Sequence, residues 1–418
     1  MLYLKFNVGL KILSKIVIKR ISDYALSHGF IRPEQFGFRN KEECISLYIS
    51  IREICQRRMI KGKFTYLAFL DFKKVYDSVP IYNILTKLSN IGIRDKCLRF
   101  IKNLNLTSKA HASHYGCLSE EFPIHRGVRQ GCLLSPILFN IFIDNLLDKC
   151  RRFGVVVEGK KCCGYLFADD IVLIAPGIKS LRSILNNVHD WAKKNKMTFG
   201  INKCAILVVK ALNFTNHDNY VDPTFHLGIN PIPKTNQYSY LCIPFNESLS
   251  MKPITSNLNI KLNYTLNSYF RFLTNRFVPF YLKRLILIYY ILSTVVYYAP
   301  LLGSNRNNTK KAQTILNRGM YWCFGFNSRN SNISLYNISK ELNIAPLSGA
   351  CAIAQIRCFK KWKGSSCIIA HLINNIPVLS HYSWAKKSRR FLKIIQINQK
   401  KKLEIRIVKR TFLNDYII

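Results

Sequence analysis

Two adjacent carboxylates interrupt an otherwise apolar stretch of this 418-residue chain. The stretch is GYLFADDIVLIAPG, in which Asp169 and Asp170 are the only residues between positions 165 and 175 that are neither apolar nor aromatic. A carboxylate buried without a partner is strongly destabilising unless its pKa rises until it is neutral. Two side by side are worse, so we expect a compensating cation here.

A third carboxylate ends a second apolar run. The segment KFTYLAFLDF predicts a buried strand that ends at Asp71, and the stretch around the aspartate pair predicts two strands joined by a tight turn. If these strands are neighbours, three carboxylates meet at one end of a sheet. Mg²⁺ commonly combines a few carboxylates with substrate phosphates, and a pair of such ions can serve an in-line phosphoryl displacement. From the letters ADD alone, a hairpin tip with two solvated aspartates is the alternative.

The charge of the chain indicates its partner. Lys and Arg number 63 against 22 Asp and Glu, which gives a formal net charge of +41. Such an excess predicts a polyanionic partner, most simply nucleic acid, with an anionic membrane surface as the alternative. Because acidic residues are so few, those inside apolar runs are not there as general solubilising groups.

The spacing of the cysteines and the hydropathy of one long segment indicate the cellular location of the protein. The 14 Cys are mostly scattered singly, and no CxxC pairs with a second one at zinc spacing. With no secretory signal, this predicts reduced thiols in a nuclear or cytoplasmic protein that is not secreted. The run LILIYYILSTVVYYAPLLGS, at 285–304, is long enough to span a bilayer. Its four Tyr and late Pro favour a buried helix over a membrane span, so no membrane partner is expected.

Strand and helix patterns alternate between about residues 64 and 245, which predicts an α+β layer arrangement. Beyond residue 245 the patterns are mostly helical and basic. The segment WAKKSRRFLKIIQINQKKKLEIRIVKR is the densest cationic stretch in the sequence.

Six motifs occur in order between residues 32 and 245. FLDFKKVYDSVP (69–80), GVRQGCLLSPILFNIF (127–142) and YLFADDIVLIA (165–175) are the central three. RPEQFGFR (32–39) precedes them, and MTFGINKCAILVV (197–209) and YSYLCIPF (238–245) follow. Through these motifs the chain resembles the reverse transcriptase of a non-long-terminal-repeat retrotransposon, of the long interspersed element type.

The resemblance implies an α+β right-hand polymerase with fingers, palm and thumb, an antiparallel palm sheet, a helical thumb and a basic C-terminal extension. The implied division is partial fingers at 1–60, a palm at 61–245 with a fingers insertion at about 80–125, a thumb-like helical region at 246–350, and the basic extension at 351–418.

Catalytic roles follow from the same resemblance. Asp71, Asp169 and Asp170 would bind two Mg²⁺ ions, or Mn²⁺ in their place. The backbone carbonyl of Phe72 would be a further metal ligand. Lys203 would act as general acid toward the pyrophosphate leaving group.

Other positions would hold nucleotide, template and primer. Tyr76 would stack beneath the incoming sugar and exclude a 2′-hydroxyl group, at a position where the family usually has Phe. The implied nucleotide- and template-binding residues are Phe72, Tyr76, Arg129, Gln130, Gly131 and Arg39. The implied primer grip consists of Tyr240, Leu241 and Cys242.

The activity implied is RNA-directed DNA polymerisation, with an RNA template, a DNA primer or target and dNTPs as partners. In the family the primer is a nicked chromosomal end. The start MLYLKF replaces an RPISL-like stretch of the family, which predicts an N-terminally truncated enzyme whose endonuclease is supplied elsewhere. Cys242 stands where the family usually has Gly, and a positive φ there would cost Cys about 1–2 kcal/mol.

Three alternatives stay open on sequence grounds. A polymerase relic that only binds nucleic acid would keep all six motifs. A two-metal nuclease would add a His or Glu to the carboxylates, and none accompanies these. A group II intron maturase would carry further C-terminal segments that are not evident here.

Overall fold

The computed structural model describes residues 8–39, 42–106, 109–111, 113–115, 117–123, 126–128, 131–212, 223–303, 305–326, 334–377 and 383–396. Arg129 and Gln130, two of the predicted site residues, lie outside this set. So does the part of the cationic stretch that lies beyond residue 396.

The helices of the described residues are α1 (Val8–Ser27), α2 (Cys44–Ile60), α3 (Val75–Ser78), α4 (Ile81–Asn90), α5 (Asp95–Leu106), α6 (Ser135–Ile143), α7 (Ile178–Lys194), α8 (Lys252–Ser268), α9 (Phe270–Thr274), α10 (Phe280–Ile286), α11 (Ser293–Leu302), α12 (Arg306–Cys323), α13 (Leu335–Glu341), α14 (Leu347–Trp362) and α15 (Ile368–Asn374). A further helix runs over 384–396. Short 3-10 helices cover Asp148–Phe153 and Ile201–Lys203, and a π-helical segment, Leu287–Leu292, joins α10 to α11.

The strands are β1 (Thr65–Leu70), β2 (Lys109–Ala110), β3 (Ser113–His114), β4 (Cys117–Leu118), β5 (Phe122–Pro123), β6 (Val155–Val157), β7 (Lys160–Cys162), β8 (Gly164–Phe167), β9 (Asp170–Ala175), β10 (Ala205–Val209), β11 (Phe225–Leu227), β12 (Asn230–Ile232), β13 (Gln237–Tyr240) and β14 (Ile243–Asn246). Four of them form the central antiparallel sheet in the order β10-β1-β9-β8, and the others pair as short hairpins or ribbons.

The central sheet is buried on both faces, which explains its unbroken apolar strands. Along β1, Leu67 and Phe69 point into one hydrophobic cluster, whereas Ala68 and Leu70 point into another. Helices α4, α6 and α7 cover the second face, while α2, the β13–β14 hairpin and helices from α8 onward cover the first. The α+β class and the antiparallel sheet predicted from the sequence are confirmed.

Helix α2 ties the C-terminal helices to the sheet through a buried ion pair. The Glu53 carboxylate accepts hydrogen bonds from the Ser383 hydroxyl (2.9 Å) and from the backbone N–H of Trp384, at the start of helix 384–396. Arg57, paired with Glu53 at 3.2 Å, donates to the carbonyls of Leu372 (2.6 Å) and Asn375 (2.7 Å), at the end of α15. Each charge therefore faces the helix terminus of opposite polarity.

The predicted domain division is not tested by the structure and stays a prediction. Position 351, its last boundary, falls inside α14.

The long apolar helix formed by α10, the π segment and α11 has one buried face. Leu287, Ile291, Val295 and Tyr298 lie in the core, whereas Tyr289 and Val296 are exposed. Over the part of the chain that the structure describes, Phe280–Leu302 is the one helix long and apolar enough to cross a membrane. One face of the helix is thus buried in the core and the other is exposed.

Candidate active site

The sheet brings the three predicted carboxylates to one edge. Asp71 directly follows β1, and Asp169 and Asp170 lie where β8 turns into β9. Because β1 and β9 are adjacent, with Leu70 opposite Ile171, Asp71 lies beside the aspartate pair. The condition stated for the sequence interpretation, that these strands are neighbours, is therefore met.

The edge carries excess negative charge. Burial, followed by the carboxylates of Asp169 and Asp71, raises the pKa of Asp170 to about 6. Burial also raises the pKa of Asp169, with Asp71 adding to the effect and Lys203 opposing it. The Lys203 Nζ lies 3.5 Å from an Asp71 carboxylate oxygen, but its side chain is 76% exposed. An exposed ammonium group offsets only part of this repulsion.

These donors fit a cation that arrives with its own ligands. Among the described residues, no group of three or more His, Cys, Asp and Glu side chains is arranged as a metal cage. Mg²⁺ does not require one, since it usually keeps waters and takes one or two carboxylates together with substrate phosphates. Hard carboxylate oxygens at a site of unrelieved negative charge suit that mode of binding.

The turn that carries the aspartates has an unusual backbone. Phe167 pairs with Asp170 across β8 and β9, so Ala168 and Asp169 are its two central residues. We call residues 167–170 the aspartate turn. Ala168 has φ +53°, a region that commonly requires Gly at the first central position of such hairpins.

The segment 32–39, RPEQFGFR, packs directly against the aspartate turn. The Gln35 side-chain oxygen accepts from the backbone N–H of Ala168 at 3.1 Å and of Gly37 at 2.8 Å. The neighbouring backbone pairs with β8, where Phe36 N–H donates to the Leu166 carbonyl at 2.8 Å. Sequence reasoning assigned this segment to the fingers and missed its contact with the turn.

Salt bridges and hydrogen bonds fix the segment at its other contacts. Arg32 pairs with Asp144 at 3.1 Å, just beyond α6. Arg39 donates to the Arg32 carbonyl (2.7 Å), the Gln35 carbonyl (3.2 Å) and the Ser366 hydroxyl (2.9 Å). The guanidinium predicted to contact nucleotide or template is thus engaged within the protein.

The residues after β1 are held from two sides. The Phe72 ring stacks on Phe199 with centroids 4.4 Å apart, and the Asp71 carbonyl accepts from Gly200 N–H at 2.9 Å. Tyr76 lies 5.6 Å from Phe139 between ring centroids. Burial raises the pKa of the Tyr76 phenol, and the Asp169 charge adds to it.

Glycines shape the connection ahead of α6. Gly127 has φ +92°, and a Cβ there would lie 2.8 Å from both the Asp77 Cα and the Tyr76 carbonyl oxygen. Gly131 has φ +82°, and a Cβ at this position would meet no atom within 4 Å, so its backbone is open on that side.

The predicted primer grip is the β13–β14 hairpin. Leu241 and Cys242 form its turn with φ +51° and +61°, the pattern of a type I′ turn that favours Gly and Asn. The conditional expectation of a positive φ at Cys242 is confirmed. Tyr240 is buried, and the Tyr238 ring stacks on Phe69 of β1 at 4.6 Å.

Tyrosines hold this hairpin on both sides. The Tyr238 hydroxyl donates to the Lys203 carbonyl at 2.8 Å. Tyr297 and Tyr298, on α11, donate to the carbonyls of Leu241 and Cys242. The hairpin therefore joins the aspartate edge of the sheet to the helical region.

An antiparallel sheet with aspartates at one edge, helices behind it, and a hairpin leading to a helical region is the palm arrangement of a nucleic-acid polymerase. The family model described as "Reverse transcriptase (RNA-dependent DNA polymerase)" matches residues 4–245, more than half of the chain. The chain belongs to the reverse transcriptase family. Enzymes of this family generally depend on divalent metal ions.

Retrotransposon proteins are among its relatives. The polyprotein of the type-2 retrotransposable element R2DM of Drosophila melanogaster is 28% identical over 51% of this chain and 20% of its own length. The polyprotein of the type-1 element R2 of Nasonia vitripennis is 25% identical over 61% and 25%. The RNA-directed DNA polymerase of the mobile element jockey of Drosophila funebris is 24% identical over 58% and 26%. The chain thus spans about a quarter or less of the length of these relatives. The predicted resemblance to a retrotransposon reverse transcriptase is confirmed.

Solved structures with a similar chain path include telomerases. Apo telomerase from Candida tropicalis has a TM-score of 0.45 and 12% identity, covering 90% of this chain and 61% of that one. Telomerase from Candida albicans, in complex with a fragment of telomeric RNA, has a TM-score of 0.45 and 12% identity, covering 91% and 58%.

Proposed function

We propose that this chain is the RNA-directed DNA polymerase of a non-long-terminal-repeat retrotransposon, which adds deoxynucleotides to the 3′-hydroxyl of a primer. The observation that carries the proposal is the meeting of Asp71, Asp169 and Asp170 at one sheet edge, with Lys203 3.5 Å from Asp71. Membership of the reverse transcriptase family supplies the reaction class.

The carboxylates would serve as metal ligands. Asp71, Asp169 and Asp170, with the Phe72 backbone carbonyl, would hold two Mg²⁺ ions, or Mn²⁺ in their place. Such ions, when bound, stabilise the attacking and leaving oxygens of phosphoryl transfer. The raised pKa of Asp170, caused by burial and by its two neighbours, marks negative charge that a cation would relieve.

The chain's own residues would position the reactants. The exposed Lys203 ammonium can reach outward from Asp71 to protonate the leaving pyrophosphate. Tyr76 would place its ring under the incoming sugar and exclude ribonucleotides. Gly131 leaves open space for a base pair, and Arg129 and Gln130, outside the described residues, complete this predicted set.

The primer would lie against the β13–β14 hairpin, formed by Tyr240, Leu241 and Cys242. The template would be RNA, held by the excess of Lys and Arg. In the sequence, no Asp or Glu occurs between Glu247 and Glu341, so the helical region bears almost purely positive charge. Priming from a nicked chromosomal end, with an endonuclease supplied elsewhere, and an intracellular location, nuclear or cytoplasmic, belong to the same proposal.

The test is primer extension on poly(rA) primed with oligo(dT) in Mg²⁺. The wild-type chain is compared with Asp169→Asn, and with Asp190→Asn on the exposed side of α7 as a matched control. We expect the wild type and the control to extend the primer and Asp169→Asn to fail. Tight, salt-dependent RNA binding without extension by any of the three would favour a polymerase relic that only binds nucleic acid.

A further inference from the structure

The aspartate turn depends on a contact from far away in the sequence. Ala168 is buried and holds a positive φ, which is sterically unfavourable for a residue that carries a Cβ. Its backbone N–H needs a partner because it is removed from water. That partner is the Gln35 side-chain oxygen at 3.1 Å, contributed by a residue 133 positions earlier.

A single oxygen atom of Gln35 connects two backbone segments, its own at Gly37 and the aspartate turn at Ala168. The same Oε1 accepts from Gly37 N–H at 2.8 Å. Both partners are N–H donors, so the contacting atom must be the amide oxygen. Gly37 lies so close to the turn that a Cβ on it would be 2.4 Å from the Ala168 nitrogen. Bulk at position 37 would therefore push the turn away from Gln35.

The segment that carries Gln35 is itself hydrogen-bonded to α6 and to the residue that follows it. The Gly37 carbonyl accepts from Asn140, a fully buried residue of α6, at 2.8 Å. At the start of the same segment, the backbone N–H of Arg32 donates a hydrogen bond to the Asp144 carboxylate at 2.7 Å, in addition to their salt bridge. Through these hydrogen bonds the segment connects the aspartate turn to α6, so the position of the turn depends on that helix.

From these contacts we infer that Gln35 is a positioning residue for the polymerase reaction, acting on Asp169 and Asp170 through the backbone of Ala168. The inference rests on the proposed function, since it assigns these aspartates to metal binding. Gln35 itself is 1% exposed and would touch neither nucleotide nor metal. Its loss would leave the turn free to relax out of the positive φ region and carry Asp169 with it.

The decisive variant is Gln35→Met, which keeps the size of the side chain and removes the oxygen acceptor. The matched control is Gln355→Met. The Gln355 side chain is also buried, and its amide nitrogen donates a hydrogen bond to the Ser388 hydroxyl at 2.8 Å in the C-terminal region. We expect Gln35→Met to lower kcat by about 10- to 100-fold, as for other groups that orient metal ligands. The KM for primer–template should stay near the wild-type value, and the control should keep its kcat.

A second readout needs no turnover. Mn²⁺ binding, followed by the electron paramagnetic resonance signal of the free ion, should weaken by about 10- to 100-fold in Gln35→Met and not in Gln355→Met. Should Gln35→Met fail to fold, Gln35→Asn, which withdraws the oxygen by one methylene, takes its place with the same expected direction.

Rescue separates positioning from a general loss of stability. Gly accepts a positive φ without strain, so Ala168→Gly in the Gln35→Met background should recover part of the lost kcat and Mn²⁺ affinity. Unchanged kcat and Mn²⁺ affinity in Gln35→Met, or no recovery on adding Ala168→Gly, would overturn the inference. If the wild-type chain extends no primer, the proposed function fails, and the Mn²⁺ measurement alone decides whether Gln35 positions the aspartates.

Discussion

The hydroxyl group of Tyr298 donates a hydrogen bond to the backbone carbonyl of Cys242 across 3.3 Å, although 56 residues separate the two in the chain. The preceding residue, Tyr297, does the same to Leu241 at 2.9 Å. The two rings lie edge to face with centroids 5.0 Å apart, so both reach one turn from one helix. A movement of α11 would therefore stretch or displace the hydrogen bonds that hold the turn of the β13–β14 hairpin.

Removing both hydroxyls should loosen the hairpin without touching the aspartates. In Tyr297→Phe/Tyr298→Phe, two hydrogen bonds of about 1 kcal/mol each are lost. We expect a higher KM for primer–template and a kcat near the wild-type value, measured by steady-state primer extension. Tyr289→Phe, at an exposed position of the same long helix, is the control. A fall in kcat with unchanged KM would contradict this assignment.

Replacing Cys242 by Gly should stabilise the protein. The turn holds Cys242 at φ +61°, where Gly has no steric penalty. The gain is at most about 1–2 kcal/mol, less the greater backbone entropy that Gly loses on folding. Chemical denaturation measures it. Cys117→Gly, at an exposed position without a positive φ, should not stabilise, and a loss of stability in Cys242→Gly would refute the strain argument.

Breaking the buried pair on α2 should be costly. Glu53→Gln leaves Arg57 buried without its carboxylate and places an amide against the start of helix 384–396. We expect a loss of about 3–5 kcal/mol in the free energy of unfolding. Glu158→Gln, which removes a partly exposed 3.3 Å pair with Lys61, should change the free energy of unfolding by about 1 kcal/mol or less. Equal effects of the two changes would show that burial of the pair is not what matters.

Stability should fall as the solution becomes alkaline. Burial raises the pKa of the Cys55 thiol to about 12 from an ordinary value of 9.0. Between these values the unfolded chain loses the proton and the folded chain keeps it, so unfolding is favoured by up to about 1.4 kcal/mol per pH unit for each such thiol. Denaturation midpoints between pH 8 and 10.5 measure the slope. Cys55→Ala should reduce it, and the exposed Cys117→Ala should not.

The strands that carry the three aspartates could be predicted from the sequence because their signals are local. Each carboxylate ends or interrupts an apolar run, and apolar runs of this length favour strands. An unbroken run without alternation also indicates burial on both faces, which β1 shows. The remaining step, that β1 and β9 are neighbours, was only a condition of the sequence interpretation, and the assembled sheet meets it.

The supports of the site were not predictable in the same way. Gln35 meets Ala168 through one hydrogen bond across 133 residues, and nothing in the letters QFG marks that contact. Arg39 donates to two nearby carbonyls and to Ser366, contacts that the sequence did not indicate, while its assignment to nucleotide or template stays a prediction. Long-range polar contacts depend on the assembled fold, whereas periodicity reports only on the element in which it occurs.

The contacts that Glu53 and Arg57 of α2 make with the C-terminal helices have a consequence for biosynthesis. Glu53 leaves the ribosome 330 residues ahead of Ser383, its hydroxyl partner. At 5–20 residues per second, the carboxylate would wait roughly 15–70 s for that partner. During that interval Arg57, on the same helix, is the one native partner that Glu53 has among those described above, and the hydrogen bonds from Ser383 and Trp384 are missing. The nascent chain therefore completes the contacts of α2 only after helix 384–396 has been synthesised.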